Sequence, residues 1–208
     1  MSNADEHSLD GAYALKTPED SVDLYRGWAE TYDSEFAVTH GYVLPGKVAA
    51  AFLTEGGMGP VLDIGAGTGL VAEALGEIEV DGIDISQEML DVASGKGLYR
   101  NRICADLTKP LELPDAAYHG FVSAGTFTHG HVGPACLPEL MRIAAPGALF
   151  VLAINGQVFD SAGFGSAFAD LVGDNVIDPI MFNRIRYYES ADHEHGEDTG
   201  LLAIFRRL

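Results

Sequence analysis

The chain predicts an α/β fold: a mostly parallel sheet with helices on both faces. Three observations predict it. From Pro60 onward, short apolar runs alternate with stretches of helical spacing, the rhythm of parallel βαβ units joined by right-handed crossovers. The first of those runs, VLDI at 61–64, passes directly into GAGTG at 65–69, a glycine-rich strand-to-helix turn of the kind at which open α/β sheets bind ligands. And 208 residues, 47% of them hydrophobic, are enough for the core of a single domain.

Each element has its own justification. Residues 1–20 are polar and read as a tail. TPED then supplies a start signal, and the spacing of Val22, Leu24, Tyr25, Trp28 and Tyr32 predicts an amphipathic helix from Ser21. PGKVAAAFL reads as a second helix, stopped by the breaker cluster GGMGP. After strand VLDI come a helix over about 69–76, strand IEVDGID, helix SQEMLDVAS and strand RICAD. YHGFVSAG is the fourth strand, GPACLPELMRIAA a helix opened by Pro134, and ALFVLAIN the fifth strand, beginning after a Pro146-Gly147 break. One Phe-rich helix near 163–172 follows, and NRIRYYES with LLAIFRRL closes the chain as an antiparallel pair.

Charge narrows the partners. Twelve Lys plus Arg against 31 Asp plus Glu leave a net charge of −19, a sheath that repels phosphate backbones and anionic lipid. Neither nucleic acid nor membrane is an expected partner. The two cysteines, Cys104 and Cys136, lack CxxC or Cys/His finger spacing, which fits a reducing compartment and no structural zinc. MSNADEHSLD carries no apolar secretory core, so the cytoplasm is the expected location.

The glycine loop points to a class of ligand. Gly65, Gly67 and Gly69 leave room for the backbone N–H groups of the turn to approach a bound molecule. A dinucleotide fingerprint requires GxGxxG, but position 70 is Leu and the spacing is GxGxG. Asp63, two residues before the first glycine, would repel a pyrophosphate and attract an ammonium. Asp84 ends the second strand 19 residues past Gly65, where a carboxylate accepts both hydroxyls of a ribose. Asp106 ends the third strand and suits an exocyclic amine such as that of adenine. Ile85 and Met89 offer apolar contacts to the base. Ala66, Leu107 and Ser123 stand beside these groups and complete the expected binding set. The ligand that fits is a nucleoside carrying a zwitterionic amino acid.

LDIGAGTGL, GIDISQEML, CADL and LMRIAAPGALFVL resemble the successive motifs of the class I S-adenosylmethionine-dependent methyltransferases, over about Trp28 to Leu208. The resemblance implies a Rossmann-like seven-stranded sheet with an antiparallel last strand and S-adenosylmethionine as cofactor, leaving as S-adenosylhomocysteine. It also implies an N-terminal helical cap, since WAETYD is similar to the helix that small-molecule members lay over the cofactor. There Trp28 and Tyr32 would form a lid, the tyrosine near the methionine carboxylate. The expected division is a tail at 1–20 and one domain at 21–208, with a cap at 21–58, a cofactor-binding core at 59–155, and an acceptor-side helix with the strand pair at 156–208. GLYRNRICADL and AGTFTHGHVGPACLPEL are particularly similar to the orphan methyltransferase-like protein encoded in the Williams-Beuren syndrome region.

Members that methylate exocyclic or amide nitrogens usually carry an NPPY-like motif after the fourth strand, where this chain reads SAGTFTHG. The resemblance therefore implies a small-molecule methyl acceptor. Catechol-type members place acidic metal ligands at this strand end, whereas Ser123 and Ala124 stand here, so no catalytic magnesium is expected. His129 is the first candidate for a general base and His131 the second, both following the fourth strand. His193 and His195 in ADHEHGED read as a polar hairpin between strands and not as a metal site. Two other readings remain: a module that binds the cofactor without turnover and acts through a partner, and a nicotinamide oxidoreductase, which Leu70 and Asp63 oppose.

Overall fold

Apolar β-branched runs flanked by glycine turns form the strands, and the periodic segments between them form the helices. The computed structural model describes residues 32, 41–189 and 196–208. Trp28 and the helix predicted from Ser21, like His193 and His195, lie outside the described residues. The elements run α1 (Leu44–Thr54), β1 (Val61–Ile64), α2 (Leu70–Leu75), β2 (Val80–Asp84), α3 (Gln87–Lys96), β3 (Arg102–Cys104), β4 (Tyr118–Phe127), α4 (Leu137–Ile143), β5 (Ala144–Asn155), α5 (Phe164–Gly173), β6 (Met181–Arg186) and β7 (Thr199–Arg206). A short 3-10 turn at Pro134–Cys136 leads into α4, so the predicted helix opens one turn later than its proline suggests.

The seven strands form one sheet in the order β3-β2-β1-β4-β5-β7-β6. β1 pairs in parallel with β2 and β4, β2 with β3, and β4 with β5. β7 runs antiparallel to both β5 and β6, as the predicted closing pair requires. The order reverses between β1 and β4, and that switch point opens a crevice at the carboxyl ends of the strands.

Side-chain alternation divides the core in two. Val61, Val80, Val122 and Val151 face a layer with Val48 and Phe52 of α1, Val71 and Leu75 of α2, and Leu90 of α3. Leu62, Ile64, Phe121, Phe150 and Phe205 face the opposite layer, with Leu137 and Leu140 of α4 and Phe164 and Phe168 of α5. Phe121 and Phe150 stack at 4.2 Å, and Phe150 stacks on Phe205 at 4.8 Å. Thus α1, inside the span expected as a cap, packs on the sheet face beside α2.

One expected boundary is corrected. The Pro146-Gly147 break does not precede β5 but lies within it, because Ala144 already pairs with Tyr118 before the register shifts to Gly120 and Leu149. The Gly147 amide donates to the Arg207 carbonyl at 2.9 Å, which keeps the bulged backbone bonded.

Candidate functional site

A cavity lies over the switch point. It is lined by Gly65, Ala66, Gly67 and Thr68 of the loop after β1, by Asp84, Ile85 and Met89 after β2, and by Ala105 to Thr108 after β3. Its other wall comes from Ala124, Gly125, Thr126, His131 and Val132 after β4, with Tyr32, Tyr42 and Pro45 above. About 960 Å³ of space is left unfilled by protein atoms, open solvent at the mouth included. That is room for a ligand the size of a nucleoside with an amino-acid arm.

The glycine loop is held from below. The Gly65 and Ala66 amides both donate to the Ile83 carbonyl, at 2.9 and 3.0 Å, and the Gly69 amide donates to the Ala66 carbonyl at 2.9 Å. The Gly67 amide donates to Asp84 Oδ2 at 2.8 Å. All four N–H groups are therefore engaged within the protein, and they are not aimed at a ligand as the sequence suggests. An anion-binding loop presents its amides to phosphate oxygens, and these four do not.

Ile64 fixes the loop to β4. Its carbonyl accepts from Ser123 Oγ at 2.8 Å and from Thr126 Oγ1 at 2.7 Å. A Cβ on Gly65 would stand 1.8 Å from Thr126 Oγ1, and the backbone there has φ of +67°, a conformation suited to glycine. The expectation for Ser123 needs correcting: it is fully buried, it does not line the cavity, and its hydroxyl serves the Ile64 carbonyl.

Asp84 is set in place by the backbone on both sides. Oδ1 accepts from the Ser86 amide and Oδ2 from the Gly67 amide, each at 2.8 Å. Each oxygen retains a lone pair for a ligand hydroxyl. Burial raises its pKa, against the pull of the Ser86 and Gly67 amides. Ser86 in turn caps α3, its Oγ accepting from the Met89 amide at 3.2 Å, which brings Met89 to the cavity. Asp106 also lines the cavity; it accepts from the Thr108 amide at 2.8 Å and the Thr108 hydroxyl at 2.6 Å, and pairs with Lys109 at 3.0 Å. Although burial works against it, these partners hold its carboxyl below the usual range.

Asp63 stands elsewhere than expected. It is 1% exposed and absent from the cavity wall. Its Oδ2 accepts from the Tyr99 hydroxyl at 2.7 Å, and the same hydroxyl lies 3.3 Å from the Ala66 carbonyl. Oδ1 is buried without a hydrogen-bond partner among the described residues. Burial pushes the carboxyl up to about 7; the Tyr99 hydroxyl opposes this and the Asp84 charge adds to it. Tyr99 reaches it across Gly82, where a Cβ would come within 2.9 Å of the phenol ring.

Of the expected binding residues, then, Tyr32, Gly65, Ala66, Gly67, Asp84, Ile85, Met89, Asp106 and Leu107 share the cavity wall, whereas Asp63, Gly69 and Ser123 support it from behind. The two histidines also separate: His131 lines the cavity and His129 does not. Enclosure pushes the His131 imidazole down to about 4, a hydrogen bond with the Gly125 backbone works the other way, and His129 adds to the lowering. Tyr42, Pro45 and Thr126 escape the sequence reading. The register shift in β4 between Ser123 and Phe127 breaks the alternation that would reveal Thr126; Tyr42 gives no signal. The Phe-rich helix α5 contributes nothing to the wall, because Phe159, Phe164 and Phe168 stack in the opposite core layer. Among the described residues, no three His, Cys, Asp or Glu side chains gather as a metal site, and no helix is long and apolar enough to cross a membrane.

Residues 62–152 match the family model described as a methyltransferase domain. No curated protein matches the chain. Among solved structures, the chain is similar to the [4+2]-cyclase SpnF (TM-score 0.66, 15% identity, 93% of this chain and 97% of that one). It is similar also to a protein of Haloferax volcanii solved in complex with the Trm112 methyltransferase activator (TM-score 0.61, 19% identity, 88% and 97%). A third likeness is to a SAM-dependent methyltransferase from Aquifex aeolicus (TM-score 0.57, 22% identity, 86% and 97%).

Proposed function

We propose that the chain is an S-adenosylmethionine-dependent methyltransferase acting on a small molecule. One observation carries the reading: a carboxylate, Asp84, oriented by two backbone amides beside a glycine loop whose own amides are engaged inward. That pair suits the hydroxyls of a ribose without phosphates, and so disfavours a dinucleotide. The methyltransferase-domain match over 62–152 supports the same reading. The likeness to a [4+2]-cyclase is a reason not to rest it on fold alone. GLYRNRICADL and AGTFTHGHVGPACLPEL support kinship with the Williams-Beuren-region protein.

The residues divide the work by position. Asp84 accepts the ribose hydroxyls. Asp106 and Leu107 would border the base, Asp106 accepting from the base's exocyclic amine, while Ile85 and Met89 would pack on the ring. Gly65, Ala66 and Gly67 let the amino-acid arm lie against bare backbone, with Tyr32 above it. With Asp84 and Asp106 given to the nucleoside, the residues at the end of β4, Thr126 and His131 among them, would be left to face the acceptor. Asp63 acts through Tyr99 and the loop, not by touching the ligand. The cofactor supplies an electrophilic methyl group; the chain's part is to bind it, exclude water and align the acceptor, and alignment is worth on the order of 7 to 11 kcal/mol.

Titration calorimetry tests the binding. S-adenosylmethionine and S-adenosylhomocysteine should each bind at a single site and NAD should not; tighter binding of NAD would reverse the assignment. Transfer of tritium from methyl-labelled cofactor into a metabolite extract tests turnover, and binding without transfer would favour the non-catalytic module.

A further inference from the structure

Two carboxylates buried on neighbouring strands are provided for differently. Asp81 of β2, 2% exposed, accepts from Arg100 Nε at 2.9 Å, from Arg100 Nη2 at 2.8 Å and from the Tyr118 hydroxyl at 2.9 Å. Burial opposes its charge, but Arg100, Asn101 and Tyr118 hold its carboxyl below the usual range. Asp63 of β1, 1% exposed, has the Tyr99 hydroxyl on Oδ2 and, among the described residues, no partner on Oδ1. Burial raises its pKa, the Tyr99 hydroxyl lowers it, the Asp84 charge raises it and the Ala72 backbone lowers it, to leave it at about 7. The elements packed around it bring no buried cation. On α1, α2 and α3 the charged side chains are Lys47, Glu73, Glu88, Asp91 and Lys96, none of them buried; Lys47 donates to the Arg186 carbonyl and Lys96 lies 4.0 Å from Glu73. β4 sets Val122 beside Asp63, with Tyr118 and His119 further down the strand. Yet Asp63 is close to the cavity: the Tyr99 hydroxyl that it binds also lies 3.3 Å from the Ala66 carbonyl, and Ala66 lines the wall. So thin a layer of protein screens a charge in the cavity far less than water would.

We infer that Asp63 sets the site's preference for the charged cofactor over its product: with a cation above the loop it gives its proton to bulk water and serves, from behind the wall, as the counter-ion. The inference rests on the cofactor reading above. S-adenosylmethionine carries a sulfonium and an ammonium against one carboxylate, and so a net positive charge. S-adenosylhomocysteine has a neutral thioether in place of the sulfonium and no net charge. Methyl transfer therefore removes the charge that keeps Asp63 ionised; the carboxyl regains a proton from water, and the product is held less well than the cofactor was. A ligand that displaces a proton binds more tightly as the pH rises through the titration, so the preference for S-adenosylmethionine grows with pH. Asp84 is not equivalent, because the Ser86 and Gly67 amides already favour its charge.

Calorimetry on the full chain at pH 7, in phosphate and in Tris, reads the protons released on binding from the dependence of the heat on the buffer. A carboxyl half-protonated at that pH, whose pKa falls by about one unit, releases about 0.4 proton. The excess released by S-adenosylmethionine over S-adenosylhomocysteine should be larger by that amount in wild type than in Asp63→Asn, in which the ligands' own amino groups titrate as before. From pH 5 to pH 8 the ratio of the two affinities should rise roughly eightfold more in wild type than in the variant. Tyr99→Phe removes the donor to Asp63, so the pH at which the excess is greatest should move upward; this variant keeps the test decisive if Asp63→Asn does not fold. An excess no larger in wild type than in Asp63→Asn, or a maximum unmoved in Tyr99→Phe, overturns the inference and leaves the cofactor reading standing. Failure of both ligands to bind overturns the cofactor reading, and the inference falls with it.

Discussion

Replacing Asp63 with asparagine should alter how the stability of the protein depends on pH. The buried carboxyl has its pKa pushed up from 3.8 to about 7, so the folded chain holds this proton more tightly than the unfolded chain does. Stability gained in that way is complete below about pH 4 and disappears as the pH rises through about 7. Each unit of difference is worth about 1.4 kcal/mol. Between pH 5 and pH 8 the carboxyl passes from mostly protonated to mostly ionised, which takes about 3 kcal/mol from the wild-type chain. The amide of the Asp63→Asn variant keeps the shape and the acceptor for Tyr99 but never ionises. Urea unfolding without cofactor at the two pH values measures both proteins. Other ionisable groups contribute equally to the pair, so the difference of differences isolates residue 63. Wild type should lose about 3 kcal/mol more than the variant, or roughly 6 to 12 °C in melting temperature at this size, and Asp63→Asn should be the more stable protein at pH 8. Identical pH dependence in the two would refute the buried carboxyl as the cause.

Asp84→Ala should weaken S-adenosylhomocysteine binding by about 1.5 to 3 kcal/mol, as expected when hydrogen bonds to a charged acceptor are lost; calorimetry that finds an unchanged affinity would remove Asp84 from the site. Gly65→Ala forces a methyl group onto Thr126, so cofactor binding should disappear and the melting temperature fall; a variant with wild-type affinity would show that the loop yields. Phe150→Ala removes the middle ring of a stack and should cost about 3 to 5 kcal/mol in urea unfolding, with cofactor affinity little altered at low temperature. Once an acceptor is found, the pH–rate profile should lack a limb near 6.5 from His131, because enclosure keeps that imidazole neutral down to about 4; such a limb, lost in His131→Gln, would restore a base to the mechanism.

Much of this is readable in the sequence, because it is written in one-dimensional signals. Strand and helix alternation from Pro60 needs only hydrophobic period, and Asp84 follows from its distance to Gly65 along the chain. Asp63 is misplaced by the glycine pattern although its neighbours carry the answer. Val61 faces the layer of α1 and α2 whereas Leu62 and Ile64 face the other, so alternation puts the Asp63 side chain beneath the loop and not at the crevice. Tyr99, 36 residues away, closes over it, and no spacing rule announces such a partner. The β4 shift between Ser123 and Phe127 exceeds what the sequence can convey. An irregular register resets which side chains face inward, so spacing does not tell His129 from His131, and it puts Ser123 in the cavity wall when the side chain lies behind it.

The inward engagement of the glycine-loop amides also has a kinetic meaning. A loop already bonded to Ile83, Ala66 and Asp84 has no ordering left to do when a ligand arrives, so capture loses little conformational entropy there. Encounter should then be limited by diffusion into the mouth and by whatever closes above it, with no slow rearrangement of the floor. Product would leave a floor unchanged in shape, ready for the next cofactor without resetting. In a rapid-mixing experiment this is a single binding phase whose rate rises linearly with cofactor concentration and does not level off at the rate of a loop transition.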